Sequence, residues 1–177
     1  MNFHKTNEKK GYLIQNEVIK SKKISKVDFI LYFQIYLSNG FLLYSVLKVM
    51  HNLVLLEIEG QKITLELNDE FSPKTVKTFL ESIPFDVNLN VWGEEIYSSP
   101  SPITASKENA KSPVELNDVA YWPTGKAICL FYGPTPIGKK GEITPASPVN
   151  VIGKIMSPDK SVLEIADGRQ GTFRLSS

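Results

Sequence analysis

Residues 72–83 read SPKTVKTFLESI, and the reading of this stretch decides the fold. Val76, Phe79, Leu80 and Ile83 fall at i, i+3, i+4 and i+7, one apolar stripe of an α-helix. Ser72 is expected as the N-cap. Pro73 then sits at the first helical position, where its missing N–H costs nothing. Pro84 ends the helix. This is the single helix that the pattern supports. Around it the chain alternates, or runs apolar, in pieces only strand-long.

Upstream, residues 53–58 (LVLLEI) are an apolar run, and 63–67 (ITLEL) place Ile63, Leu65 and Leu67 on one face. Gly60-Gln61 suits a two-residue hairpin turn with glycine first. Downstream, 87–91 (VNLNV) alternate, and Gly93 offers a turn before 95–97 (EIY). Residues 98–113 form a polar loop rich in Ser, Pro and Lys. A short apolar stretch at 114–122 is broken by Asn117-Asp118 and closed by the turn Pro123-Thr124-Gly125. Residues 127–132 (AICLFY) are continuously apolar, as a buried strand requires. After the Gly/Pro-rich loop 133–148 come strands expected at 149–155 (VNVIGKI), 161–166 (SVLEIA) and 172–175 (TFRL), separated by the turns 157–160 and Asp167-Gly168. Many short strands, one short helix at about 72–83 and no βαβ pattern imply a mainly β protein: a closed or nearly closed antiparallel β-barrel.

The chain has 177 residues, 42% of them hydrophobic and 22% charged, with net charge +1, which fits one soluble globular domain. The average hides a division. Residues 1–49 carry eight Lys against three acidic residues. Residues 50–177 carry sixteen acidic residues against twelve Lys and Arg, a net −4, which argues against nucleic acid as a partner. All eleven prolines lie between Pro73 and Pro158. Two parts are therefore expected, an extension over 1–49 and a barrel domain over 50–177. Residues 29–47 (FILYFQIYLSNGFLLYSVL) follow a basic flank as in a signal anchor, but Gln34, Ser38, Asn39, Gly40 and Ser45 interrupt them. Three readings of the extension stand: a membrane anchor, an accessory helix or hairpin, or upstream sequence ahead of a translation start at Met50. The A/T-rich codon character of its residues favours the last. No membrane association is expected for 50–177. With Cys129 alone there is no intramolecular disulfide, and a reducing, cytoplasmic location is expected.

Residues 133–140, GPTPIGKK, have the spacing of a phosphate-binding G-x-x-x-x-G-K loop. Pro134 and Pro136 remove two N–H donors from that cradle, Lys140 stands where a hydroxyl would ligate Mg²⁺, and no helix follows. The loop is expected to be structural. His4 and His51 are the only histidines, so the domain has no imidazole base. One cysteine and no domain histidine also leave no zinc or iron–sulfur set, and no metal or cofactor is expected. Cys129 reads as a buried structural thiol. Glu94-Glu95 and Asp118 are the candidate acid/base groups, with the adjacent pair expected to be solvated. What remains is an aromatic concentration near turns and strands. Tyr97, Tyr121, Trp122, Phe131 and Tyr132 are the candidates to line an apolar groove for a peptide or small molecule.

Several of these residues have a family look. SPKTVKTFLESI resembles the first-helix segment of cyclophilins, and VNVIGKI resembles a late strand of that fold. FDVNLNVWGEEIY, DVAYWPTGKAICLFYGPTP and ASPVNVIGKI, in that order, resemble a family of short prokaryotic cyclophilin-like proteins, of unestablished function, across 50–177. The resemblance implies a closed barrel of cyclophilin topology. Cyclophilins proper are peptidyl-prolyl cis-trans isomerases, with an arginine on the strand after the first helix that weakens prolyl amide conjugation. That strand here reads DVNLNVW, with Asn88 and Asn90 and no arginine. The family's active-site His and Trp also lack a clear counterpart. Phe131 matches the pocket phenylalanine, or Tyr132 does if the register slips by one. The resemblance thus implies a ligand-binding domain without strong catalysis, with an isomerase as the alternative. Arg169 and Arg174 discriminate: the isomerase reading rises if either shares a concavity with Phe131.

Overall fold

The computed structural model describes residues 53–176. The expected extension, with its three readings, lies outside the described residues. Eight strands and two short helices follow in the order β1 (Leu53–Ile58), β2 (Gln61–Leu67), α1 (Pro73–Ser82), β3 (Phe85–Trp92), β4 (Glu95–Ser98), β5 (Asp118–Trp122), β6 (Ala127–Phe131), β7 (Asn150–Ile155), α2 (Val162–Ala166) and β8 (Gln170–Leu175). The strands close into a barrel in the order β1-β2-β7-β5-β6-β4-β3-β8, and each pairing is antiparallel. Closure leaves no sheet edge to protect.

The first hairpin differs from expectation by one residue. Ile58 pairs with Gln61, so the two-residue turn is Glu59-Gly60. Both have positive φ, 47° and 88°, as a type I′ turn requires. The alternating residues of β1 and β2 then point inward, and Val54, Leu56, Leu65 and Leu67 are buried. Helix α1 closes part of the interior with its predicted stripe. Phe79 meets Phe85 and Phe173 with ring centroids 5.5 Å apart in each case, both edge-on, and Phe85 lies 5.1 Å from Phe173. Such contacts add about 0.5–1.5 kcal/mol each beyond area burial.

Three local features depart from the sequence reading. Ser72 makes no side-chain cap. The carboxylate of Glu108 caps α1 from 33 residues away, accepting from Lys74 N at 3.1 Å, Thr75 N at 2.9 Å and Thr75 Oγ1 at 2.9 Å. Residues 161–166, expected as a strand, hold the short helix α2 instead. Asp159 Oδ1 accepts from Ser161 N at 2.9 Å and turns the chain into it, and no ladder partner is formed. At β7 the register against β5 steps between Val119 and Ala120, a bulge that bends the wall. Gly153 makes the bend fit: a Cβ there would lie 2.2 Å from the Glu66 carbonyl oxygen on β2.

Candidate functional site

Strand alternation divides β4, β5, β6 and β7 between two faces. Ile96, Val119, Tyr121, Ile128, Leu130 and Ile152 join the barrel interior. Their neighbours Ala120, Cys129, Phe131 and Val151 face outward and, with Val114 and Val149 of the loops, build a second apolar cluster, against which Tyr97, Trp122 and Ile143 pack. Register makes this outer wall continuous. Asn90 opposes Tyr97, Tyr97 opposes Cys129, Cys129 opposes Ala120, and Ala120 opposes Val151. In the adjacent row Trp92 opposes Glu95, and Glu95 opposes Phe131. Two long loops roof the wall and meet at the bridges Lys111–Val149 and Val114–Ile143.

The five candidate aromatics separate. Phe131, fully buried, shares the outer wall with the half-buried Tyr97 and Trp122. Trp122 is oriented by its Nε1–H, which donates to Ser147 Oγ at 2.7 Å. Tyr121 and Tyr132 belong to the interior cluster. The Tyr121 hydroxyl donates to the Ile103 carbonyl at 3.0 Å, which ties the long loop before β5 to the barrel. Burial pushes the Tyr132 hydroxyl up in pKa, and the charge of Asp159 adds to the effect.

Beside Phe131 and Tyr97 lies one of the candidate acid/base groups, and it departs from expectation. Glu95, expected to be solvated, is only 4% exposed. The β3–β4 turn is Gly93-Glu94, so Glu95 is the first residue of β4 and faces outward with Tyr97. Glu94 stays at the surface and pairs with Lys160. Burial pushes the Glu95 carboxyl up to about 7, although a hydrogen bond with Cys129 opposes the shift. Burial likewise raises the Cys129 thiol, and the neighbouring Glu95 charge raises it further. Glu95 Oε2 has no hydrogen-bond partner among the described residues. A buried acceptor without a donor costs about 1–3 kcal/mol. Asp118, equally buried, is the contrast in charge: its Oδ2 accepts from Glu115 N at 2.8 Å and, although Oδ1 makes no well-aligned hydrogen bond, Lys154 lies 2.8 Å from Oδ1 and Lys111 3.6 Å from Oδ2.

The arginines do not join this wall. Arg174 makes a two-bond fork to Glu57, at 2.7 and 2.6 Å, and Arg169 pairs with Glu59 at 3.4 Å. Arg174 lies on β8, with β3 and β4 between it and the strand of Phe131. Asn90 occupies the wall beside Tyr97. The GPTPIGKK loop spends its backbone on its own structure. Gly138 N donates to the Thr135 carbonyl at 3.1 Å, Pro134 O accepts from Glu94 N at 2.9 Å, and Thr135 Oγ1 donates to Thr144 O at 2.6 Å. Among the described residues no group of three or more His, Cys, Asp or Glu could hold a metal ion, and no helix is long and apolar enough to cross a membrane.

Comparison with known proteins adds three findings. A family model described as cyclophilin-like matches residues 52–174. The solution structure of a hypothetical protein from Archaeoglobus fulgidus is 38% identical, with a TM-score of 0.62 over 72% of this chain and 96% of that one. The fold is also similar to that of McbB, solved in complex with tryptophan, at 15% identity and a TM-score of 0.52, over 70% of this chain and 45% of that one. A search of curated proteins finds no match.

Proposed function

The chain belongs to the cyclophilin-like family, and on that premise we propose that its barrel binds a peptide or small ligand on the outer wall, at Tyr97, Trp122 and Phe131, without efficient catalysis. One observation carries the reading. A barrel needs its interior packed and its exterior wetted, yet this exterior sector is built of aromatic and aliphatic side chains around a buried carboxyl whose second oxygen lacks a donor. Packing alone would favour an apolar residue at Glu95, because an unpaired buried carboxyl is costly. Polar groups set in an apolar, aromatic-lined wall are what small-molecule sites use for orientation.

The reading is tested by a thermal-shift screen of small peptides and organic compounds on the full chain, followed by calorimetric titration of each hit. Tyr97→Ala, Trp122→Ala and Phe131→Ala are each expected to weaken a hit about tenfold or more, the range of anchor residues. Hits indifferent to all three substitutions would contradict it. In a protease-coupled assay on X-Pro peptides no rate above the uncatalysed one is expected, because both arginines are engaged by Glu57 and Glu59 and β3 brings Asn90, not a guanidinium, to the wall. A clear rate increase would replace binding by isomerisation as the function.

A further inference from the structure

Glu95, Tyr97, Cys129 and Phe131 form a two-by-two block on adjacent strands, each pair directly opposed across β4 and β6. Directly opposed Cβ atoms lie about 4.5–5.5 Å apart, so one small group can touch all four side chains. The block holds one strong acceptor, Glu95 Oε2, and that acceptor has no donor. Cys129 supplies a weak donor to the carboxyl. The nearby lysines answer other carboxylates: Lys160 pairs with Glu94, and Lys154 and Lys111 pair with Asp118. The arginines are held by Glu57 and Glu59.

From this arrangement we infer that the outer wall takes an organic ammonium, an amine on an apolar body, with an N–H donated to Glu95 Oε2 and the body seated on Phe131 and Tyr97. The inference rests on the ligand-binding reading above and names its ligand class. An ammonium supplies what Oε2 lacks, and a charge-assisted hydrogen bond is about twice as strong as a neutral one. Aromatic faces also attract a cation held near them. Residues 50–177 carry a net −4, which raises the local concentration of cations rather than anions. A ligand offering a carbonyl would need Glu95 protonated instead, and would therefore respond to pH in the opposite sense. Entry requires the roof to lift. The bridges Lys111–Val149 and Val114–Ile143 are isolated contacts rather than a continuous ladder, so local opening is the accessible route.

The test is calorimetric titration of the full chain with primary amines bearing phenyl or branched-alkyl bodies, each matched with the alcohol of the same skeleton. At about pH 8, above the Glu95 midpoint, amines are expected to bind about tenfold or more tighter than their alcohols. That preference is expected to shrink at about pH 5.5. Glu95→Gln is expected to abolish it while leaving alcohol binding through Phe131 in place. Equal binding of amine and alcohol, with both lost in Phe131→Ala, would overturn the ammonium assignment and leave the ligand wall standing. Binding of neither series would overturn both. Should Glu95→Gln fail to fold, the pH dependence of the wild type decides: tighter amine binding at the lower pH overturns the inference.

Discussion

The two faces of the same barrel wall make an instructive pair. On the inner face, Tyr121, Ile128 and Leu130 are packed into a closed core, and the one hydroxyl among them has found the Ile103 carbonyl. On the outer face, one residue along each strand, Phe131, Cys129 and Tyr97 are also apolar and mostly buried, but Glu95 among them keeps an oxygen without a donor. The inner face is complete as it stands, and the outer face is not. A β-strand must show one side to the core. That its other side is also buried, under loops instead of strands, is the feature that asks for a function.

The largest expected effect lies on the inner face. Phe173→Ala removes the ring that packs against both Phe79 and Phe85, and it is expected to cost about 3–5 kcal/mol in urea unfolding. The same substitution is expected to leave the affinity of a wall ligand unchanged wherever the protein stays folded. A loss below about 1 kcal/mol, or a selective loss of binding, would erase the distinction between the faces.

A smaller effect is expected where the two regions are tied. Burial pushes the Glu108 carboxyl up, but hydrogen bonds from Thr75 and Lys74 outweigh it and hold the group below the usual carboxylate range. That carboxylate anchors the loop before β5 to α1, whose buried face belongs to the inner core. Glu108→Ala is expected to cost about 1–2 kcal/mol, as the loss of a helix cap does. Amide hydrogen exchange is expected to quicken mainly in residues 99–117 of the roof. Uniform quickening throughout the barrel would show instead that roof and core open as one unit.

Much of the barrel was legible because period-two and helical patterns are local. The stripe of Val76 and Phe79 specified α1, and the alternation at Ile63, Leu65 and Leu67 specified β2. Four apolar residues around Glu164 in 162–166 gave no such discrimination. A helix that short is indistinguishable from a strand by periodicity, and its signal was the turn at Asp159. The cap on α1 was illegible in principle, since Glu108 comes from a distant loop. The aromatic candidates were found by type, but their faces depended on register. Trp122 and Phe131 go outward, while Tyr121, one position away from Trp122, goes inward. The burial of Glu95, a candidate acid/base group expected to be solvated, was hidden for the same reason. As part of a Glu94-Glu95 pair it reads as solvated, and assigning the turn to Gly93-Glu94 converts it into a buried member of β4.

The most direct measurement compares the stability of the wild type with that of Glu95→Gln by urea unfolding from about pH 4.5 to about pH 8. The folded midpoint of Glu95, about 7, lies above its ordinary 4.5. The folded protein therefore holds that proton more tightly. Its stabilising contribution is complete below about 4.5 and is lost as pH rises through about 7. The wild type is expected to lose up to roughly 3 kcal/mol relative to Glu95→Gln over this range. Parallel curves for the two proteins would mean that Glu95 titrates as an ordinary surface carboxyl, and would contradict a buried, unanswered acceptor on the outer wall.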